Sequence, residues 1–154
     1  MKPVIYLIGS LRNDEIPAIG DKLRERGFDV FDQWHSAGPE ADDCFQAYRL
    51  GRKWSYREAL NSYAAKHIFN FDKTHLDRAN IAVLVMPAGK SGHIELGYFL
   101  GQGKPGYVLF DKEPDRFDQM YQFADDVFFD INELGEHLSN AYIYRRPNAQ
   151  LSLF

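Results

Sequence analysis

Residues 80–106 constrain this chain more than any other stretch. Residues 81–86, Ile-Ala-Val-Leu-Val-Met, form an unbroken apolar run. Such a run predicts a strand buried on both faces, as happens when helices cover both sides of a parallel sheet. A loop with Pro87, Gly89 and Gly92 follows, and then a short helix is predicted from residue 93 to about 100, closed by Gly101 and Gly103. One carboxylate, Glu95, sits in that mostly apolar segment among Ile94, Leu96, Gly97, Tyr98 and Phe99. Burying a charge there is costly unless something uses or compensates it.

The rest of the chain alternates strands with helices. Residues 4–8 predict strand 1, ending at Gly9-Ser10. Pro17 suits the first turn of a helix capped by Asn13 or Asp14, with Ile16, Ile19 and Leu23 on its inner face and Gly27 as its stop. Residues 29–34 predict strand 2. Residues 35–71 predict a helical insertion: a loop at Gly38-Pro39, a short acidic helix over 40–50, and a helix from 55 to about 71. Residues 72–79 predict a further helical turn or two. Residues 106–110 predict strand 4, 116–123 a helix, 127–129 a short strand, 131–140 a last helix and 142–154 a tail.

This alternation argues one domain over 1–154: α/β, doubly wound, with a flavodoxin-like or Rossmann-like parallel sheet of about five strands and helices on both faces. Ligands of such sheets sit beyond the carboxyl ends of the strands, where strand order reverses. With the order 2-1-3-4-5 that point lies between strands 1 and 3. The two Gly-rich loops, 9–13 and 87–95, then face each other across one crevice.

Composition narrows the function classes. The chain has 154 residues and net charge −4, with no basic stripe, which argues against double-stranded nucleic acid as a partner. Cys44 is the single cysteine, so neither a disulfide nor a thiolate cluster is expected. No stretch approaches a membrane span and the apolar start is too short for a signal peptide, so a reduced, cytoplasmic location is expected. Gly-Lys-Ser at 89–91 is not a P-loop, because position 84, where that motif needs glycine, is Leu. The five histidines show no metal-ligand spacing with carboxylates.

The candidate residues each have two readings. Gly9-Ser10-Leu11-Arg12 is either an anion cradle of backbone N–H groups, hydroxyl and guanidinium, or a polar turn with an exposed Arg. If Ser91 or Gly92 caps the helix, Glu95 falls in its first turn, as a capping residue or as a carboxylate held ionised for nucleophilic attack. Asp72 reads as a helix cap and Tyr6 as plain core. Trp34-His35 is either core edge or an aromatic wall for a flat base. Arg49, Arg52, Lys53 and Arg57 around Trp54 form a solvated face, or reach an anionic ligand or a neighbouring subunit.

Four pieces in order carry a resemblance. They are Ile5-Tyr6-Leu7-Ile8-Gly9-Ser10-Leu11-Arg12; Asp72 followed by Ala79-Asn80; Ser91-Gly92-His93-Ile94-Glu95-Leu96-Gly97-Tyr98; and Gly103-Lys104-Pro105. Together they resemble the nucleoside 2-deoxyribosyltransferase superfamily, which includes the 2′-deoxynucleoside 5′-monophosphate N-glycosidases and the cytidylate hydrolases. The resemblance implies cleavage of the N-glycosidic bond of a (deoxy)nucleoside or its 5′-monophosphate, by hydrolysis or by transfer to another base. It implies Glu95 as nucleophile, Asp72 on the sugar hydroxyl and the leaving base, and Tyr6 orienting Glu95. Ser10 and Arg12 resemble the 5′-phosphate ligands of the monophosphate branch. Gly9, Trp34, Gly89, Ser91 and Gly92 would line the rest of the substrate site.

The resemblance also implies a homodimer or higher homo-oligomer and no metal or cofactor. The chain departs from it in carrying Asn80 where Asp is usual and Gly89 where transferases carry a proton-handling Asp. No serine lies between Gly92 and Leu138 to supply a neighbouring subunit's site. The alternatives are an NAD-cleaving glycohydrolase and a nucleotide-binding sensor without turnover.

Overall fold

In the computed structural model, which describes residues 1–144, the apolar run lies at the centre of a five-stranded sheet. The strands are β1 (Val4–Ile8), β2 (Asp29–Phe31), β3 (Ile81–Val85), β4 (Gly106–Leu109) and β5 (Asp126–Phe128). All neighbouring pairs are parallel, in the order β2-β1-β3-β4-β5. This is the doubly wound order expected from the sequence. Every residue of β3 is buried, because strands flank it and helices cover both its faces.

Alternation along the strands sorts the core into two layers. Ile5, Leu7, Val83 and Leu109 pack under α1 (Ile16–Glu25) and α6 (Ile131–Leu138), which bring Leu23 and Leu134. Tyr6, Ile8, Leu84 and Val108 face the other way, under α4 (Tyr63–Arg78) and α5 (Lys90–Gly101), which bring Leu76, Leu96 and Phe99. Asp130 starts α6 by accepting N–H bonds from Asn132 and Glu133.

Several expected boundaries move, each for a local reason. Strand 2 ends at Phe31 rather than at 34, because Asp32 turns to the guanidinium of Arg24, and residues Gln33–Ala37 form a 3-10 helix. The cap of α1 is Glu15, without a side-chain bond; Asn13 instead accepts the Glu15 N–H one step earlier. Over 55–79 the break falls at Asn61-Ser62, not near 71. Ser55 and Glu58 form a reciprocal capping box that starts α3 (Tyr56–Leu60), and Ser62 caps α4. The helix expected over 116–123 is only a 3-10 turn at Gln119–Phe123. The last helix ends at Leu138 and passes into a short π-helix, Ser139–Ile143. The expected tail from 145 onward lies outside the described residues.

α4 enters β3 against the strand direction. Its 16 residues span about 24 Å, whereas the five of β1 span about 17 Å. The first turn of α4 therefore stands beyond the carboxyl edge of the sheet, and α2 (Ala41–Gly51) and α3 precede it in the chain. α2 buries none of its residues. Among the described residues no helix is long and apolar enough to cross a membrane.

Candidate active site

The site starts from Tyr6, in the middle of β1, whose ring is fully buried on the α4/α5 side of the sheet. Its ring packs on Phe31 at 5.1 Å between centroids. Phe31 in turn stacks on His75 of α4 at 3.9 Å, the ring planes nearly parallel at 8°. His75 Nδ1 accepts a hydrogen bond from Arg78 Nε at 2.8 Å. Burial and the Arg78 charge lower the His75 pKa, so the stacked ring is held neutral. This aromatic pile fixes the position from which the Tyr6 hydroxyl is presented.

Glu95 meets that hydroxyl from α5. It is half-buried, and the Tyr6 hydroxyl favours its ionised form. Burial, and after it the charge of Asp72, push the Glu95 pKa up to about 7, while the Tyr6 hydroxyl pulls it down. Burial also raises Asp72, and it raises the Tyr6 phenol, with Glu95 and Asp72 adding to the effect. Tyr6, Asp72 and Glu95, from three separate elements, thus form one electrostatically coupled group.

Two of the readings offered by the sequence are corrected here. α5 begins at Lys90 with Gly89 as its cap residue, so Glu95 lies in the second turn rather than the first. It does not cap the helix, and its environment favours the protonated form instead of holding it ionised. Asp72 is not a cap either: it lies inside α4, one turn before the buried Leu76. A carboxylate with neither capping duty leaves the coupling to Glu95 as its structural distinction.

The glycines bring the loops together. A Cβ on Gly92 would stand 3.1 Å from Leu84 Cδ1 and 3.2 Å from Ile8 Cγ2, so α5 approaches β1 and β3 at a point where only hydrogen fits easily. A Cβ on Gly9 would stand 2.8 Å from Ile16 Cδ1 and 3.6 Å from the Trp34 ring. Trp34 lies half-buried beneath that turn, donating its indole N–H to Leu7 O at 2.7 Å. A Cβ on Gly89 would meet nothing within 4 Å, and Gly89 and Ser91 are exposed at the start of α5.

The turn after β1 is folded on itself. The Arg12 N–H is donated to Ser10 Oγ at 3.1 Å and the Asn13 N–H to Ser10 O at 3.0 Å. The Arg12 guanidinium pairs with Asp43 of α2 at 2.8 Å. The cluster around Trp54 is likewise self-engaged, with Arg52 lying over the rings of Tyr48 and Trp54 at 5.6 and 5.1 Å.

Sequence reasoning missed the Phe31–His75 stack and Asp43. His75 carried a signal, since it follows Asp72 by three residues on the same helix face. An apolar cavity of about 550 Å³ lies on the far flank of α5, between Leu96, Gly97 and Leu100 and the 3-10 turn at Met120 and Tyr121. None of the coupled residues lines it.

No family model and no curated protein matches this sequence. Solved structures do match. A 2-deoxyribosyltransferase from Bacillus psychrosaccharolyticus superposes with a TM-score of 0.62 at 20% identity, over 86% of this chain and 90% of that one. A CMP N-glycosidase from Clostridium botulinum gives 0.51 at 14% identity, over 88% of this chain and 98% of that one. Both bear activities named in the resemblance drawn from the motifs, and at these identities the likeness is one of fold.

Proposed function

We propose that this chain is an enzyme cleaving the N-glycosidic bond of a nucleoside or nucleoside 5′-monophosphate. The convergence of Glu95, Asp72 and Tyr6 beside the point where strand order reverses carries this reading. The ionised Glu95 attacks the anomeric carbon as the bond to the base breaks, and the bonding pair leaves with the base. Asp72, which burial biases toward its protonated form, holds the sugar hydroxyl and supplies the proton the departing base takes up. Water, passing its proton to the Asp72 carboxylate, then displaces Glu95 in a hydrolase, and a second base, losing its proton to the same carboxylate, does so in a transferase. A poorly hydrated carboxylate gains most from a cation forming beside it, and the transition state resembles an oxocarbenium ion.

Tyr6 orients Glu95 and keeps its pKa from rising further. Trp34 and the turn at 9–12 form one wall, and the exposed start of α5, with Gly89, Ser91 and Gly92, forms the other. The insertion 35–71, within a single domain, shapes the mouth. The exposed apolar side chains of α4 and α5, among them Phe69, Phe71 and Ile94, fit a homo-oligomer assembled through that face. A cytoplasmic location accords with the unpaired Cys44.

Chromatographic screening for free base tests the reading. It covers nucleosides, deoxynucleosides, their 5′-monophosphates and NAD, with and without an acceptor base. Free base and sugar identify a hydrolase, and a new nucleoside identifies a transferase. Binding without release identifies a sensor and overturns the enzymatic assignment.

The pH profile is a second expectation. Attack needs the ionised Glu95 and departure of the base needs the protonated Asp72, so kcat/KM should rise with pH as Glu95 ionises and fall again as Asp72 gives up its proton. Tyr6→Phe removes the interaction that lowers the Glu95 pKa, so its rising limb should shift to higher pH. A flat profile between about pH 5 and 8 contradicts Glu95 as the nucleophile.

A further inference from the structure

The turn after β1 holds the one cation that the motifs assign to a substrate phosphate, and the structure gives that cation another partner. Arg12 Nη2 contacts Asp43 Oδ2 at 2.8 Å, joining the turn to the first helical turn of α2. Both side chains are 68% exposed, so the pair is open to competition from a solute anion. The surroundings are acidic: Asp14 and Glu15 follow Arg12, and Glu40 and Asp42 flank Asp43. The N–H groups of Arg12, Asn13, Glu15 and Ile16 are bonded within the turn. A phosphate arriving here must either displace Asp43 from Arg12 or lie beside it with like charge.

We propose that Asp43 is a specificity-determining residue which, by occupying Arg12, turns the site away from 5′-phosphomonoesters and toward the neutral nucleoside. This rests on the glycosidase reading of the site and adds the substrate class to it. Asp43 acts through Arg12 and not on the reacting atoms. Its place on the insertion explains why the motif around residues 9–12 does not by itself mark a phosphate site.

The test is equilibrium binding of the four common deoxynucleosides and their 5′-monophosphates, with Glu95→Gln as background to prevent turnover. The parent protein is expected to bind a nucleoside more tightly than its monophosphate. Asp43→Asn is expected to shift that ratio about five- to tenfold toward the monophosphate, since it removes a like charge and frees the guanidinium. Asp43→Glu, which keeps the charge, is expected to keep the parent preference. Combining Asp43→Asn with Arg12→Gln should reduce the shift to about twofold or less. The Asp43→Asn shift should shrink as salt rises from about 50 to 500 mM, because the pair is exposed. A parent preference for the monophosphate, or an unchanged ratio in Asp43→Asn, overturns the proposal. If ligands bind but free base is never released by the unsubstituted protein, the glycosidase reading fails and the role of Asp43 is judged on the ratio alone. If no nucleoside or nucleotide binds, both fail.

Discussion

Glu95→Gln is expected to abolish release of free base and, in the same protein, to raise stability at pH 8. Both effects come from one cause. Burial and the charge of Asp72 push the Glu95 pKa from 4.5 to about 7. An unfolded chain loses this proton near pH 4.5, and the folded chain holds it until about pH 7. Over that window unfolding releases a proton, so stability falls as pH rises and stays low above it. The full gap corresponds to about 3 kcal/mol, and partial solvent access at a half-buried carboxyl reduces it to about 2 kcal/mol.

Glutamine keeps the shape without the charge. Its gain of about 2 kcal/mol at pH 8 corresponds to several degrees in Tm. Near pH 4 the gain should vanish, because Glu95 is then neutral in both states. Thermal unfolding at the two pH values, alongside chromatography for free base, checks both halves. An unchanged or lowered Tm at pH 8 removes the burial argument, and retained turnover removes the nucleophile. A functional group that destabilises its own fold is a known mark of an active site.

The second large effect lies away from the chemistry. Asp32, at the end of β2, is 9% exposed and receives both guanidinium nitrogens of Arg24, at 2.5 and 3.1 Å. Arg24 also donates to Val30 O at 3.1 Å. Gly20 lies directly beneath, and a Cβ there would collide with Asp32 Oδ2. Arg24→Met is expected to lower stability by about 3 kcal/mol, because it leaves a buried carboxylate without its counter-ion. Adding Asp32→Leu should recover most of the loss, since the cost comes from the stranded charge. Urea unfolding checks this through the midpoint, with the slope unchanged. A single-variant loss below about 0.5 kcal/mol would show the pair to be ordinary surface electrostatics.

The fold was legible where burial on both sheet faces left no choice of residue. β1, β3 and β4 are apolar runs, and their expected and observed limits differ by at most one residue. Elements set by tertiary contacts were harder. Ser91-Gly92 has poor helix propensity, yet it lies in the first turn of α5, where Gly92 seats against Ile8 and Leu84. That three-residue difference moved Glu95 out of the first turn and changed its electrostatics. The break between α3 and α4 was written in Ser55-x-x-Glu58 and Ser62, a capping signal that helical periodicity across residues 55–71 concealed. The residues Tyr6, Asp72 and Glu95 were visible through motifs, and their coupling was not. Nothing in the spacing links Arg12 to Asp43, which lie 31 residues apart.

α2 buries none of its side chains, and this divides the molecule into parts with different evolutionary freedom. A helix with no fully buried side chain adds little to the core, so substitutions at its exposed positions should leave the sheet and Glu95 where they are. If Asp43 sets substrate preference as proposed, that preference can be changed on α2 with little cost to foldability. The same looseness leaves α2 open to local unfolding, and a protease that spares the sheet should be able to cut there.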